Sequence, residues 1–348
     1  MAQPIVENDI HQVDSEYHLA FELTARQKQI SQKLAELVSE GRSVLLEAVC
    51  GAGKTELVYQ TISTTLARGG RVGFAIARRQ VVLEIAERLS SVFTGLKVIA
   101  VCQGHTRKTV GDLIVCTTHQ LYRYHRYFDL LIIDEPDAFP FKGNITLQGF
   151  AQRACRGSYV YLTATPDQQL KEKVNDEQLA YLYLAKRPSG KPLCLPQVIY
   201  GSQSVLYLCG LWYLHKLLSY HKPVIIFVPN IALGRKFHAV LKHLVSCCNI
   251  DSTVSNKDEL IADFRKGIYR LCISTTVLER GITIPSVNII VFSAHSDQFD
   301  EASLTQMAGR VGRGTKDPYG ECYFLACYRK QSIDQCLASI RRANSYHE

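Results

Sequence analysis

A glycine-rich segment between a predicted strand and a predicted helix carries the residue types that bind phosphate. Gly51 and Gly53 let the backbone curl so that successive N–H groups point at a phosphate, and Lys54 adds a cation. An apolar run over 44–46 precedes the segment and a helical stretch over 56–67 follows it, which is the context of a nucleotide-binding loop. The residues that we expect to contact ATP here are Cys50, Gly51, Ala52, Gly53, Lys54, Thr55 and Glu56.

Two carboxylates end the apolar run over 130–133, about eighty residues after Lys54. In a parallel sheet such residues lie at the carboxyl edge, where ligands bind. We expect Asp134, together with the hydroxyl of Thr55, to hold Mg²⁺, and Glu135 to orient and deprotonate the water that attacks the γ-phosphate. Ala48 stands where the common loop pattern has its first glycine, so the strict pattern is not met.

A second set of catalytic candidates lies in the half of the chain that has no phosphate-binding loop. Gln306, Arg310 and Arg313 fall near a predicted helix end, and the two guanidinium groups need an anion from elsewhere. If the two halves close, the arginines can reach the γ-phosphate and stabilise the charge of its transfer. The alternative is an exposed basic helix end.

Composition sets broad limits on the class of protein. The chain has 348 residues, of which 47% are hydrophobic and 21% charged, which excludes collagen-like and broadly disordered classes. A net charge of +8 favours polyanionic partners. The 12 cysteines form no C-x-x-C pair, so we expect reduced thiols and no zinc site, including at Cys247 and Cys248. The sequence has no secretory or membrane-spanning signal, so we expect a cytoplasmic protein, with peripheral attachment at the inner face of the membrane left open.

Apolar strands alternate with helices along the chain, which predicts an α/β fold of two tandem domains, each a mostly parallel sheet flanked by helices. The breaker-rich segment around 188–192 divides them. The predicted organisation is an N-terminal arm over 1–22, a first domain over 23–187, a linker over 188–200, a second domain over 201–330 and a C-terminal helix over 331–348.

These motifs in this order resemble the superfamily 2 helicases and translocases, whose domains are RecA-like. The resemblance implies that Gln27 contacts the adenine, that Gly281 contacts ATP, and that Thr163, Ala164 and Thr165 couple hydrolysis to movement. It also implies nucleic-acid contacts, mainly to phosphates. The residues expected to make these contacts are Arg78, Thr117, Thr118, Pro229, Asn230, Thr275 and Thr276. The aromatic residues Tyr122, Tyr124, Tyr127 and Phe128 suit either base stacking or core packing.

Within this superfamily, Asp134-Glu135-Pro136-Asp137-Ala138-Phe139-Pro140 resembles the D-E-x-D-A-F-P segment of the ComFA family of competence ATPases. Many members carry a four-cysteine zinc module before the motor, and this sequence shows none, so we expect ATP and Mg²⁺ but no zinc. The resemblance implies single-stranded DNA as the partner, with a membrane DNA channel and a phosphoribosyltransferase-like competence protein as associates. An oligomer is left open.

The leading hypothesis is therefore an ATP-dependent single-stranded DNA translocase or helicase that drives DNA uptake in bacterial competence. A second hypothesis is a nucleic-acid clamp or scaffold in which ATP switches affinity without net movement. A third is an RNA helicase, although D-E-P-D differs from the D-E-A-D of the commonest RNA class.

Overall fold

The protein is described here from a computed structural model covering residues 15–19, 21–279, 284, 286–313 and 319–346. Gly281, a predicted ATP contact, lies outside these residues. The chain divides into two compact units, Met1–Leu184 and Ala185–Glu348. The division falls shortly before the linker predicted to begin at 188, so Arg187 belongs to the second unit.

The first unit is built on a seven-stranded sheet in which every strand pair is parallel, with the order β3-β4-β2-β5-β6-β1-β7. Its strands are β1 (Val44–Ala48), β2 (Val72–Ile76), β3 (Val98–Val101), β4 (Leu113–Thr117), β5 (Phe128–Asp134), β6 (Cys155–Thr163) and β7 (Ala180–Leu184). Its helices are α1 (Ala25–Ser39), α2 (Lys54–Leu57), α3 (Tyr59–Ala67), α4 (Arg79–Val92), α5 (Ile145–Ala154) and α6 (Gln168–Asn175). A 3-10 helix covers Thr118–Arg123.

The second unit has a six-stranded sheet, again parallel throughout, with the order β10-β11-β9-β12-β13-β8. Its strands are β8 (Gln197–Tyr200), β9 (Val224–Phe227), β10 (Cys247–Ile250), β11 (Leu271–Ser274), β12 (Asn288–Phe292) and β13 (Cys322–Ala326). Its helices are α7 (Gln203–Ser219), α8 (Ile231–Leu241), α9 (Lys257–Arg265), α10 (Glu301–Ala308) and α11 (Gln331–Ser345), with a 3-10 helix over Thr276–Leu278.

The predicted fold class, two α/β units with parallel sheets, is confirmed. Strands β1, β2, β4, β9, β11, β12 and β13 are buried at every residue. Strands with helices on both faces have no solvent side, which explains their continuous apolar runs.

The segment before α1 is attached to the first unit by backbone and ring contacts. The His18 N–H donates to the carbonyl of Val92 at 3.0 Å, and the Tyr17 ring packs 5.6 Å from Phe93 and 6.1 Å from Tyr59, centroid to centroid. Thr24 caps α1 as its sequence position predicts, with its hydroxyl accepting from the N–H of Gln27. These contacts hold the start of α1 in place.

Candidate functional site

The strand order of the first unit brings the phosphate-binding loop and the two carboxylates to one edge. Strand β6 lies between β5, which ends at Asp134, and β1, which leads into the loop. In the register, Asp134 is opposite Leu162 and Glu47 is opposite Thr163. Neighbouring strands lie about 4.8 Å apart, so the three strand ends form one continuous surface.

The loop has the backbone conformation that its glycines predict. Gly51 and Gly53 have φ values of 81° and 82°, in the left-handed region that favours glycine. A Cβ on Gly53 would lie 2.9 Å from Gln27 Nε2 and 3.3 Å from Glu56 Oε2, so a side chain there would displace the ends of these two side chains. Lys54 begins α2. The N–H groups of Glu56 and Leu57 donate to the carbonyl of Gly53 at 3.2 and 3.3 Å, so among the described residues those of Lys54 and Thr55 are the first-turn donors left for a ligand. A triphosphate supplies the oxygens that these donors and the Lys54 ammonium need.

Gln27, the predicted adenine contact, supports this loop directly. Its side chain is 1% exposed, and Nε2 donates to the carbonyl of Ala52 at 2.9 Å. Its Oε1 accepts from the N–H of Thr24 at 2.9 Å and from the Thr24 hydroxyl at 3.1 Å. Both hydrogen bonds of Oε1 are therefore internal to the protein. The second N–H of Nε2 is the side-chain donor of Gln27 that remains for an acceptor atom of adenine.

Glu56, another predicted ATP contact, also faces the loop and forms an ion pair with Arg88 at 3.6 Å. Burial, and after it the Glu56 carboxylate, raise the pKa of Tyr59 well above its ordinary value. Helix α3, which begins at Tyr59, contains no Asp or Glu, so it adds no carboxylate that would repel phosphate.

Asp134 and Glu135 are both partly exposed at the strand end, as the sequence predicts. Glu135 has φ of 53°, although its N–H still donates to the carbonyl of Leu162 at 2.8 Å. A non-glycine residue in this region is strained, and such strain is concentrated at functional sites. The Thr55 hydroxyl and the Asp134 carboxylate are oxygen donors, the type that Mg²⁺ prefers, so the residues present fit this ion. When bound, Mg²⁺ neutralises charge on the phosphate oxygens.

Asp137 is a residue of this edge whose role the sequence did not identify. It is 3% exposed and accepts hydrogen bonds from the hydroxyls of Thr163 and Thr165, the latter at 2.9 Å. The Thr165 N–H in turn donates to the Thr163 hydroxyl at 2.9 Å. The predicted coupling segment of Thr163, Ala164 and Thr165 is thus tied to the segment that carries Asp134 and Glu135. The second aspartate of D-E-P-D was the available signal.

The predicted nucleic-acid residues of the first unit lie farther along the same edge. Ile76 of β2 pairs with Thr117 of β4, so Arg78 and Thr118, just beyond, follow adjacent strand ends. Thr118 is 1% exposed and its hydroxyl has no hydrogen-bond partner among the described residues, so a phosphate would meet the backbone of this turn rather than the hydroxyl. Arg78 is partly exposed at the start of α4.

Core packing is the role of most aromatic residues near this turn. Tyr124, Tyr127 and Phe128 are at most 3% exposed and pack against one another, so they do not offer faces to bases. Tyr122, at 47% exposure, is the member of this group that a base can reach.

In the second unit, two predicted nucleic-acid segments also follow adjacent strands. Phe227 of β9 pairs with Ser274 of β11, which places Pro229 and Asn230 beside Thr275 and Thr276 at the carboxyl edge. The Asn230 side chain accepts from the N–H of Leu233 at 2.9 Å and caps α8, so its oxygen is already used. Thr275 and Thr276 are partly exposed.

The three catalytic candidates of the second unit differ in accessibility. Gln306 and Arg310 are 2% and 1% exposed, whereas Arg313 is partly exposed and its Nε donates to the carbonyl of Gly309 at 3.0 Å. Arg313 is therefore the guanidinium group of this segment that has surface available to an anion.

Comparisons with known proteins agree with this fold. Residues 20–168 match the family described as Type III restriction enzyme, res subunit, and residues 209–315 match the Helicase conserved C-terminal domain. Yeast (S. cerevisiae) Dbp5 bound to RNA and ADP BeF3 has a similar fold, with a TM-score of 0.66 at 17% identity over 94% of this chain and 93% of that one. RecG bound to a three-way DNA junction gives a TM-score of 0.65 at 20% identity, over 92% of this chain and 45% of that one.

These features define the class: the chain is an ATPase of the superfamily 2 helicase type, with two tandem RecA-like units. Competence protein ComFA of Bacillus subtilis (strain 168) is 34% identical over 342 residues, which cover 92% of this chain and 72% of that protein. The chain belongs to the ComFA family.

Two further findings concern metals and membranes. Within the described ranges, no group of three or more His, Cys, Asp or Glu side chains could hold a metal ion. The helices in the part of the chain that the structure describes include none long and apolar enough to cross a bilayer.

The Asp137 contacts predict a measurable loss on truncation. Asp137→Ala leaves the Thr163 and Thr165 hydroxyls without their acceptor, so we expect the free energy of unfolding to fall by about 1–3 kcal/mol. We also expect weaker stimulation of ATP hydrolysis by nucleic acid, because the coupling segment is released. Denaturant unfolding and phosphate release measure the two effects. Asp137→Asn, which keeps one acceptor oxygen, should lose less, and equal losses for both variants would argue against this role.

Proposed function

We propose that this protein is an ATP-driven translocase on single-stranded DNA that acts in DNA uptake during bacterial competence. The observation that carries the proposal is the order of strand ends along one edge of the first unit: predicted nucleic-acid residues at β4 and β2, then Asp134, Thr163 and the phosphate-binding loop. The membership of the ComFA family supports the competence role.

In the proposed reaction, the loop N–H groups and Lys54 bind the β- and γ-phosphates, and Glu135 accepts a proton from the attacking water. Thr55 and Asp134 would hold Mg²⁺. Gln27 contributes its spare N–H to adenine while it holds Ala52 in place. Arg313 stabilises the negative charge on the γ-phosphate during its transfer, and the buried Gln306 and Arg310 support the segment that carries it.

The proposed link from hydrolysis to movement uses Asp137. Loss of the γ-phosphate changes the surroundings of Asp134 and Glu135, and the hydrogen bonds of Asp137 pass a shift of that segment to Thr163 and Thr165. Contacts to DNA through Arg78, Thr117 and Thr118, and through Pro229, Asn230, Thr275 and Thr276, are to phosphates and therefore independent of sequence.

RNA is the second candidate polymer, because Dbp5, a protein of this fold, was solved with RNA bound. RecG, of the same fold, was solved with DNA, so the fold does not discriminate between polymers. We favour DNA because the ComFA relatives are competence proteins. A clamp that uses ATP only to switch its affinity is the alternative that lacks movement.

Substitutions of Lys54 and Arg313 separate binding from turnover. Lys54→Ala removes the cation on the phosphates and should abolish both ATP binding and hydrolysis. Arg313→Ala should leave ATP affinity nearly unchanged and lower kcat by about 10³- to 10⁵-fold, the range for a charge-stabilising arginine. Nucleotide titration and steady-state phosphate release measure the two effects. The exposed Arg341→Ala is the matched control, and wild-type turnover in either site variant would refute the assigned roles.

Polymer dependence distinguishes the three functions. We expect phosphate release to rise most with single-stranded DNA, when compared with duplex DNA and RNA of equal length and with no polymer. ATP should also drive displacement of streptavidin from a biotinylated strand end, which a clamp cannot do. DNA affinity should fall as salt rises, because phosphate contacts release counterions. Greatest stimulation by RNA, or ATP-dependent binding without displacement, would select one of the alternatives.

A further inference from the structure

Helix α7 is apolar around most of its circumference, yet it buries only part of it. Leu206, Leu214 and Leu217 are buried, while Leu208 and Trp212 are 69% and 61% exposed. A helix that is apolar all round is normally covered on every side. Three further large apolar residues of this helix are also exposed, namely Val205, Tyr207 and Leu211.

A groove of about 310 Å³ lies between α7 and α8. Its walls include Tyr207 and Leu211 from α7 and Phe237 and Val240 from α8, and Phe292 of β12 lies at its floor. Val240 is 62% exposed. The groove therefore presents aromatic and aliphatic side chains along two helices, the composition of an interface centre.

The two helices that form this groove, α7 and α8, contain basic residues and no acidic residue. No aspartate or glutamate occurs from residue 178 to residue 250, although the whole chain has 32 acidic residues. Lys236 lines the groove and Lys242 follows α8, and neither has a carboxylate partner among the residues that the structure describes. Lys216, also on α7, is bound to Glu321 at 2.9 Å. The charge available to a partner is positive.

We propose that this α7–α8 groove binds an amphipathic helix of a partner protein, with apolar residues on one face and acidic residues on its flanks. The apolar face fills the groove at Leu211 and Val240, and the acidic flanks pair with Lys236 and Lys242. A recessed groove between two helices favours a helix over a lipid surface, because a bilayer face cannot enter it.

A selection with the full chain tests this proposal. The probe is a display library of helical peptides with apolar residues fixed at i, i+3, i+4 and i+7 and flanking positions randomised among Asp, Glu, Lys, Arg, Ser and Gln. We expect enrichment of Asp and Glu. A selected peptide should bind at least about tenfold more weakly to Leu211→Asp/Val240→Asp and to Lys236→Glu, by fluorescence anisotropy. Ile268→Asp, at an exposed apolar residue after α9, is the matched control.

Several results would overturn this assignment. Two of them concern the peptides: selection without enrichment of Asp and Glu, and binding of a selected peptide to Leu211→Asp/Val240→Asp as tightly as to the wild type. The other two are a dimer in sedimentation velocity that Leu211→Asp/Val240→Asp dissociates, and binding to phosphatidylglycerol vesicles that the same variant abolishes. The first two exclude the partner chemistry, and the others assign the groove to a second copy or to lipid. DNA-stimulated ATP hydrolysis in each variant reports intact folding, and the binding measurement itself does not depend on that activity.

A separate observation concerns Arg187, near the start of the second unit. It is 6% exposed, and its guanidinium donates from Nη1 to the carbonyls of Val311 and Gly312 at 2.8 and 3.1 Å and from Nη2 to that of Gly309 at 2.8 Å. The Gly309 carbonyl also accepts from Arg313 Nε. These carbonyls follow the end of α10, where helical partners are absent.

We also infer that Arg187 is a positioning residue for Arg313, an inference that rests on the proposed role of Arg313. The planar guanidinium fixes three carbonyls of the turn from which the Arg313 side chain extends. A lysine at 187 has one nitrogen and cannot reproduce this fork.

Turnover of Arg187 variants tests the inference. Arg187→Met should lower kcat by about 10²-fold, because a small misplacement of a catalytic group has that effect, while ATP and DNA affinities stay unchanged. Arg187→Lys should recover only part of the loss, and Lys186→Met, at the exposed neighbouring position, should leave kcat unchanged. In the Arg313→Ala background, Arg187→Met should cause no further decrease.

The opposite outcomes are equally specific. A lower unfolding temperature with unchanged kcat per folded molecule would reduce Arg187 to a structural role and overturn the inference. A full additional decrease in the Arg313→Ala background would do the same. If Arg313→Ala itself leaves kcat unchanged, the proposed function of Arg313 fails, and this inference fails with it.

Discussion

The parallel pairing of strands in each sheet is the constraint on which the proposed ATP site and the proposed nucleic-acid contacts depend. Every strand pair is parallel, so every strand of a unit ends at the same edge and sends its following loop there. The phosphate-binding loop, the two carboxylates and the predicted nucleic-acid residues are far apart in the chain, and the strand order β4-β2-β5-β6-β1 makes them neighbours. Local sequence places each group at the end of a strand, and the ladder then fixes the spacing between strand ends at about 4.8 Å.

A few buried hydrogen bonds connect the segments that follow these strand ends. Asp137 binds two threonine hydroxyls, and Gln27 binds the loop carbonyl of Ala52. A buried carboxylate is tolerated only when hydrogen bonds satisfy it, so moving Asp137 requires its threonine partners to move as well. The positive φ of Glu135 adds strain beside this network. In the proposed mechanism, these directional bonds make the segment of Asp134 and Glu135 move together with that of Thr163 and Thr165.

The sequence alone predicted most of the strands, the glycine turn and the position of Asp134 and Glu135 at a strand end, because each depends on a short run of neighbours. The helix cap at Thr24 and the parallel sheets were also predicted from the sequence. The sequence did not identify the acceptor role of Asp137, the buried state of Arg310 or the carbonyl contacts of Arg187. Each of these depends on residues that only the tertiary fold brings close. Tyr124 and Tyr127 illustrate the same limit, since the sequence allowed either base stacking or core packing and burial assigned them to the core.

The two faces of the second sheet show why exposed apolar surface is informative here. On one face, α9, α10 and α11 cover a continuous core that includes Phe264, Phe299, Met307 and Ile333. On the other, α7 and α8 bury Leu206, Leu214 and Leu241 but leave the groove between them open. Helices of this chain therefore cover one face of the sheet with a continuous apolar core. Because exposed apolar surface carries a hydration penalty, the open face is explained better by a partner than by a shortage of apolar residues.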